Sequence, residues 1–207
     1  MITTLLYVHD PMCSWCWAYR PTHAVLMEAL QHLPIEVVNV LGGLAPDSDD
    51  PMPIDMQAML QNTWRRIEQQ VGTTFNYDFW RDCKPRRSTY PACRAVLAAK
   101  AQDAEEAMIH AIQEAYYLRA MNPSDNSTLV ALAEELGLDS AAFADALSSA
   151  RTQAELLKDI TFARQLPIQG FPSLVLTHKG TYHPIRLDYH SAETSLKQVR
   201  EIIGRSV

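Results

Sequence analysis

A Cys-x-x-Cys lies near the start of this chain, in the run Asp10-Pro11-Met12-Cys13-Ser14-Trp15-Cys16-Trp17, directly after the apolar stretch Thr3 to Val8. No other feature constrains the fold as much, because this placement puts two thiols where a strand hands over to a helix. A helix N-terminus leaves backbone N–H groups without intrahelical partners and carries the positive end of the dipole, and both favour a thiolate. The thiolate is the form of cysteine that attacks disulfides. Cys16 returns to the same helix face nearly one turn later, within reach of closing a ring with Cys13. Cys13 is the candidate nucleophile because it is nearer the helix end, and Cys16 is the candidate resolving thiol. A zinc site would need two further ligands at similar spacing. Cys83 and Cys93 are ten residues apart and no His pair has finger spacing, so no metal is expected. The plain alternative is a pair of inert core cysteines.

The second signal is Gly170-Phe171-Pro172-Ser173-Leu174-Val175-Leu176. A proline opening a β-branched and leucine-rich run belongs at a strand's first position or on an edge. Its X-Pro bond is a candidate cis peptide. Set against an N-terminal Cys-x-x-Cys, such a turn would present the Phe171 backbone beside the sulfurs, ready to pair with an extended substrate.

Between these signals the pattern is helical. A helix over about 13–32 carries Pro21, which cannot donate to the Trp17 carbonyl. Ile35 to Leu41 reads as a second, mostly buried strand, completing a βαβ unit. From about 45 to 166 no convincing strand appears. Helical spacing runs from Met56 to Val71 and stops at Gly72; further helices are expected over 91–101, 104–119, 127–136, 139–148 and 152–165. Ser127 and Asp139 are the expected caps of two of them. Then come a strand over 172–177, a turn at His178-Lys179-Gly180-Thr181, a partner strand over 182–187 and a closing helix from Ser191. The chain is expected to divide into 1–44 plus 167–207, holding both sheet halves, and a helical insertion over 45–166.

The chain has 207 residues, 47% of them hydrophobic and 20% charged, with a net charge of −6. That is enough to bury a sizeable core. It argues against general nucleic-acid binding, which wants a basic stripe. No apolar run reaches the roughly 18 residues of a membrane span. No signal-peptide pattern is visible, so the cytoplasm is the expected location. In a reducing compartment four cysteines do not make a disulfide scaffold, and a Cys-x-x-Cys beside a βαβ pattern reads as redox chemistry.

The match of Asp10-Pro11-x-Cys13-x-x-Cys16, the Gly-x-Pro-Ser at 170–173 and the helical stretch between them resembles the DsbA-like branch of the thioredoxin superfamily. It covers essentially the whole chain. Tyr90-Pro91-Ala92-Cys93-Arg94-Ala95 is similar to the bacterial group described as predicted protein-disulfide isomerases. FrnE-type oxidoreductases, kappa-class glutathione transferases and 2-hydroxychromene-2-carboxylate isomerases are more distant. The last two typically lack one or both motif cysteines, and this chain keeps both. The resemblance implies an α/β, thioredoxin-like fold (βαβ…ββα) with a large all-helical insertion before the cis-proline strand. It implies a thiol–disulfide oxidoreductase or protein-disulfide isomerase acting through Cys13-Ser14-Trp15-Cys16. The alternatives are a glutathione-dependent isomerase or transferase on a small organic substrate, and a binding module that keeps the fold without turnover. No bound cofactor is expected, with glutathione as the candidate co-substrate. The expected partners are protein or small-molecule thiols and disulfides, with no nucleic acid and no membrane, and a monomer or a dimer is compatible.

The remaining site candidates follow from position. Trp15, Phe171 and Pro172 are expected to contact substrate, and Ser14 and Trp15 to tune the couple. Trp15 should face the surface; Trp17 is either groove or core. No His lies between the cysteines to add positive charge, which points to a couple less oxidising than DsbA itself. Asp10, followed by Pro11, either caps the helix or, as an anion near Cys13, raises the thiol pKa. Cys93 shares a helix face with Val96 and Leu97 and reads as core. Cys83 sits among Arg81, Lys84, Arg86 and Arg87, which would lower its pKa if exposed and could receive the carboxylates of glutathione. The seven histidines look scattered.

Overall fold

The computed structural model describes residues 2–204. Strand β1 (Thr3–His9) leads into helix α1 (Ser14–Leu30) and strand β2 (Ile35–Leu41). Helices α2 (Ile54–Val71), α3 (Asp78–Asp82), α4 (Tyr90–Lys100), α5 (Glu105–Tyr117), α6 (Asn126–Glu135), α7 (Ser140–Leu147) and α8 (Ala150–Ala163) follow. Strands β3 (Ser173–His178) and β4 (Thr181–Ile185) and helix α9 (Glu193–Gly204) complete the order. This is the βαβ…ββα arrangement with helices inserted between β2 and β3, a thioredoxin-like α/β fold.

The sheet has the order β2-β1-β3-β4. β1 runs parallel to β2, with Leu5 opposite Val37, and antiparallel to β3, with Leu6 opposite Val175. Alternation along β1 sends Leu5 and Tyr7 to one face, where they pack with Tyr19, Leu26 and Leu30 of α1 and Leu196 and Val199 of α9. Leu6 and Val8 go to the other, against Ala163 and Leu166. A separate core, with Cys93, Val96, Ile112, Leu132, Phe143 and Leu156, joins α4 to α8. A third, aromatic cluster of Trp64, Phe75, Phe79, Tyr116 and Tyr117 lies beneath the start of α1.

Several local expectations meet the backbone directly. Gly72 ends α2 in the left-handed region at φ +79°, where a Cβ is disfavoured. Asp139 accepts from Ala142 N–H and caps α7. Lys179 and Gly180, at φ +50° and +80°, make the two-residue turn between β3 and β4.

Others are corrected. β2 is buried only at Val40 and Leu41, because it is the sheet's edge and its first residues face solvent. Ser127 does not cap α6; the helix begins at Asn126, with Asp125 at the cap position and no side-chain bond there. The five or six inserted helices expected become seven among the described residues, the extra being the five-residue α3, too short to show a period.

Candidate active site

Cys13 is the N-cap residue of α1, in extended conformation. Its N–H donates to the Asp10 carbonyl and its own carbonyl accepts from Trp17 N–H, both at 3.0 Å. The thiol therefore stands at the helix end. Its Sγ donates to the Phe171 carbonyl at 3.5 Å. The Phe171–Pro172 bond is cis. The structure thus brings Cys13, Phe171 and Pro172 together across most of the chain's length. Cys16, one turn in, is sealed at 0% exposure against 7% for Cys13. Burial first, and the neighbouring Cys13 thiol second, push the Cys16 thiol well above the ordinary range. Both cysteines are free thiols. One sulfur is reachable and the other is held behind it.

Asp10 does not cap α1. Its Oδ1 accepts from Met12 N–H at 2.8 Å, and its Oδ2 from Leu44 N–H at 2.8 Å, the Thr89 hydroxyl at 2.7 Å and the Cys93 thiol at 3.6 Å. The carboxylate is fully buried. Burial pushes its pKa up, while these four donors pull it back. It is a staple: the thiol loop, the segment after β2 and the start of α4 meet on one side chain. Tyr117 of α5 adds a second tie, donating to the Met12 carbonyl at 2.7 Å. Gly42 gives the Phe171 ring its place, since a Cβ there would lie 2.0 Å from the ring and force it to shift.

Trp15 is half-buried and lines the cleft over Cys13. Its ring packs edge-on against Tyr189 at 5.2 Å, and the Arg66 guanidinium lies 5.6 Å over it. Trp17 packs into the aromatic cluster, stacking on Tyr117 at 5.7 Å and donating to the Thr74 carbonyl at 3.1 Å. Ser14 lines the cleft over Cys13. Pro11 is buried in the loop. Cys93 is core, as expected. Cys83 donates to the Ala120 carbonyl at 3.0 Å, and burial together with Asp125 and Asp82 raises its pKa, so the basic neighbours in sequence do not activate it. No cluster of three or more His, Cys, Asp or Glu that could hold a metal occurs among the described residues.

A cleft of about 340 Å³ opens over Cys13, lined by Met12, Ser14, Trp15, Leu44, Met52, Met59, Leu60, Trp64, Arg66, Arg87, Phe171 and their neighbours. Sequence reading missed Gly42, Thr89, Arg66 and Tyr117, which lie far from both motifs in the chain. Only the Tyr90-to-Ala95 run, beginning just after Thr89 and containing Cys93, hinted that α4 reaches the site. It also missed that three histidines are not scattered. Tyr7 stacks with His9 at 4.8 Å and with His23 at 4.1 Å, and burial lowers His9 to about 3 and His23 to about 4. His110, lowered chiefly by its own burial, bears electrostatically on His23.

A family model for the DSBA-like thioredoxin domain matches residues 4–193. The chain belongs to this family. Its likeness to solved structures is spread over the whole chain. A candidate protein disulfide isomerase from Nitrosomonas europaea is 24% identical with a TM-score of 0.86, covering 100% of each chain. The cytosolic disulfide reductase DsbM from Pseudomonas aeruginosa is 26% identical with a TM-score of 0.79, covering 99% of this chain and 100% of that one. A further structure of DsbM is with GSH. Among curated proteins, the ClpXP adapter protein SpxH of Halalkalibacterium halodurans is 25% identical over 80% of this chain and 56% of its own length. The chain thus spans little more than half the length of that curated relative. No helix among the described residues is long and apolar enough to cross a membrane.

Proposed function

We propose that the protein is a thiol–disulfide oxidoreductase in which Cys13 attacks and Cys16 resolves. The observation that carries this reading is the reachable Cys13 thiol on the α1 N-terminus, turned to the Phe171 carbonyl, with Cys16 buried one turn behind it. The Cys13 thiolate attacks a substrate disulfide, forms a mixed disulfide and expels one substrate thiolate. Cys16 gives up its proton, attacks the Cys13 sulfur and expels the second. The substrate gains two electrons and two protons, and the protein is left with a Cys13–Cys16 disulfide. A thiol such as glutathione, taken twice, returns the dithiol and leaves as its own disulfide. The backbone at Phe171 and the turn at Pro172 hold the substrate beside the sulfur, and Ser14 and Trp15 tune the couple.

The direction we favour is reduction or isomerisation. The Ser14-Trp15 dipeptide carries no His, and the DsbM neighbour, named a cytosolic disulfide reductase and solved with GSH, supports both the direction and glutathione as co-substrate. The same likeness supports the cytoplasm as the location.

Equilibration in glutathione buffers tests the reading. A two-electron Cys13–Cys16 potential between about −180 and −270 mV is expected, the span from protein disulfide isomerase to thioredoxin. Cys16→Ser should trap a mixed disulfide at Cys13. If Cys16→Ala keeps full, strictly glutathione-dependent activity, a glutathione isomerase or transferase replaces this reading. Indifference to both cysteine changes would leave a binding module.

A further inference from the structure

The chain carries more acidic than basic residues, 24 against 18, yet the cleft over Cys13 is lined by Arg66, Arg86 and Arg87 and by no Asp or Glu. Arg86 is committed to the scaffold: it donates to the Ser124 carbonyl at 2.8 Å and the Asp125 carboxylate at 2.7 Å. Arg66 and Arg87 are not. Both are exposed, and neither belongs to any ion pair among the described residues. Asp55, on the same helix as Arg66, accepts instead from Met56 N–H at 2.9 Å. The Arg66 guanidinium lies 5.6 Å over the ring of Trp15, between the two cysteines in sequence, and makes no hydrogen bond to the protein among the described residues. Arg87 stands two residues before Thr89, whose hydroxyl is bound to Asp10 behind the thiol loop. Leu44, Met52, Met59, Leu60 and Phe171 supply apolar wall between these cations.

We propose that this cleft selects small anionic thiols and disulfides, with Arg66 and Arg87 receiving the substrate's carboxylates. This rests on the oxidoreductase reading and names the substrate class of the same site. A guanidinium fork matches a carboxylate with two parallel N–H···O bonds. Cations on concave, low-dielectric walls raise the encounter rate of an anion by about 10- to 1,000-fold, an effect that salt screens. At about 340 Å³ the cleft has the dimensions of a small-molecule site.

Single turnover tests this without any recycling reductant. Reduced protein is mixed with excess dithiodipropionate (a dianion), hydroxyethyl disulfide (neutral) or cystamine (a dication). Each reaction oxidises Cys13 and Cys16 to their disulfide and releases two small thiols. The second-order constant is read by tryptophan fluorescence and divided by that of the same disulfide with free mercaptoethanol. The expected order is dianion, neutral, dication, with roughly tenfold or more between the extremes at low salt and a clear narrowing at high salt. Arg66→Gln with Arg87→Gln should bring the dianion-to-neutral ratio toward one. Arg151→Gln, which removes the same charge from α8, should leave that ratio unchanged. Equal normalised rates for the three disulfides in the wild type, or an order that survives in the double variant, would overturn the proposal alone. No reaction with any of them would overturn the oxidoreductase reading and this proposal with it.

Discussion

Asp10→Asn isolates the staple behind the thiol loop. Both carboxylate oxygens accept from main-chain N–H groups, Met12 on one and Leu44 on the other. Asparagine has one side-chain oxygen. Whichever way its amide turns, the NH2 group faces an N–H that loses its acceptor beside a fully buried side chain. The Thr89 hydroxyl can swing to the Ala45 carbonyl, 3.4 Å away, so the main loss is one buried amide. An orphaned buried donor costs about 1–3 kcal/mol. For a chain of this size each kcal/mol moves the melting temperature by about 2–4 °C, so the variant should melt roughly 2–12 °C lower at pH 7. Differential scanning calorimetry on reduced protein, repeated by urea titration with an unchanged m-value, measures it. Because the lost amide belongs to Met12 or Leu44, alkylation of Cys13 in the folded variant should change as well. A melting temperature within about 1 °C of wild type, with Cys13 alkylated at the same rate, would refute the claim that this carboxylate ties the loop to the helices.

Gly42→Ala places a Cβ where the Phe171 ring lies and should destabilise by about 1–3 kcal/mol through overpacking; adding Phe171→Ala should recover much of the loss, and a double-mutant cycle without coupling would show that the ring had room to move. His9 and His23 are held neutral by burial, with folded values of about 3 and 4 against an ordinary 6.5. Their contribution is fully present above pH 6.5 and is lost as pH falls toward these folded values, because the unfolded chain takes the protons first. Replacing both by Phe should flatten the stability curve between pH 6.5 and 4, which urea titrations across that range would reveal; an unaltered slope would mean the rings are solvated. Phe143→Ala, in the helical core, should cost about 3–5 kcal/mol in the same titration and leave the Cys13–Cys16 potential where it was.

Legibility in the sequence divided along physical lines. The thiol turn, the αL stop at Gly72, the Asp139 cap and the Lys179-Gly180 turn were readable because each depends on a few adjacent residues. β2 reads as mostly buried because its composition does not reveal that it lies at the edge. The histidines looked scattered because stacking joins β1 to α1 across a fold, and no periodicity records that. Asp10 invited a capping reading from its Asp-Pro neighbourhood, but its partners at Leu44, Thr89 and Cys93 lie 34, 79 and 83 residues away.

That distance explains how the site divides its work. The sulfurs need a strand, a helix end and one proline turn, and the two short motifs supply all three. The walls above them come from α2 and from the segment before α4, and are joined to the sulfurs by the Asp10 carboxylate and the Tyr117 hydroxyl. Substitutions among the inserted helices can therefore change which disulfide enters while leaving the exchange chemistry intact, and substitutions at Cys13 or Cys16 do the reverse. A variant pair such as Arg66→Gln and Cys16→Ser should then act independently: the first on the charge preference of the entry rate, the second on release of the mixed disulfide. Additivity of the two in single-turnover kinetics is what separate loci require, and strong coupling would mean that the cation beside Trp15 also takes part in the exchange between the sulfurs.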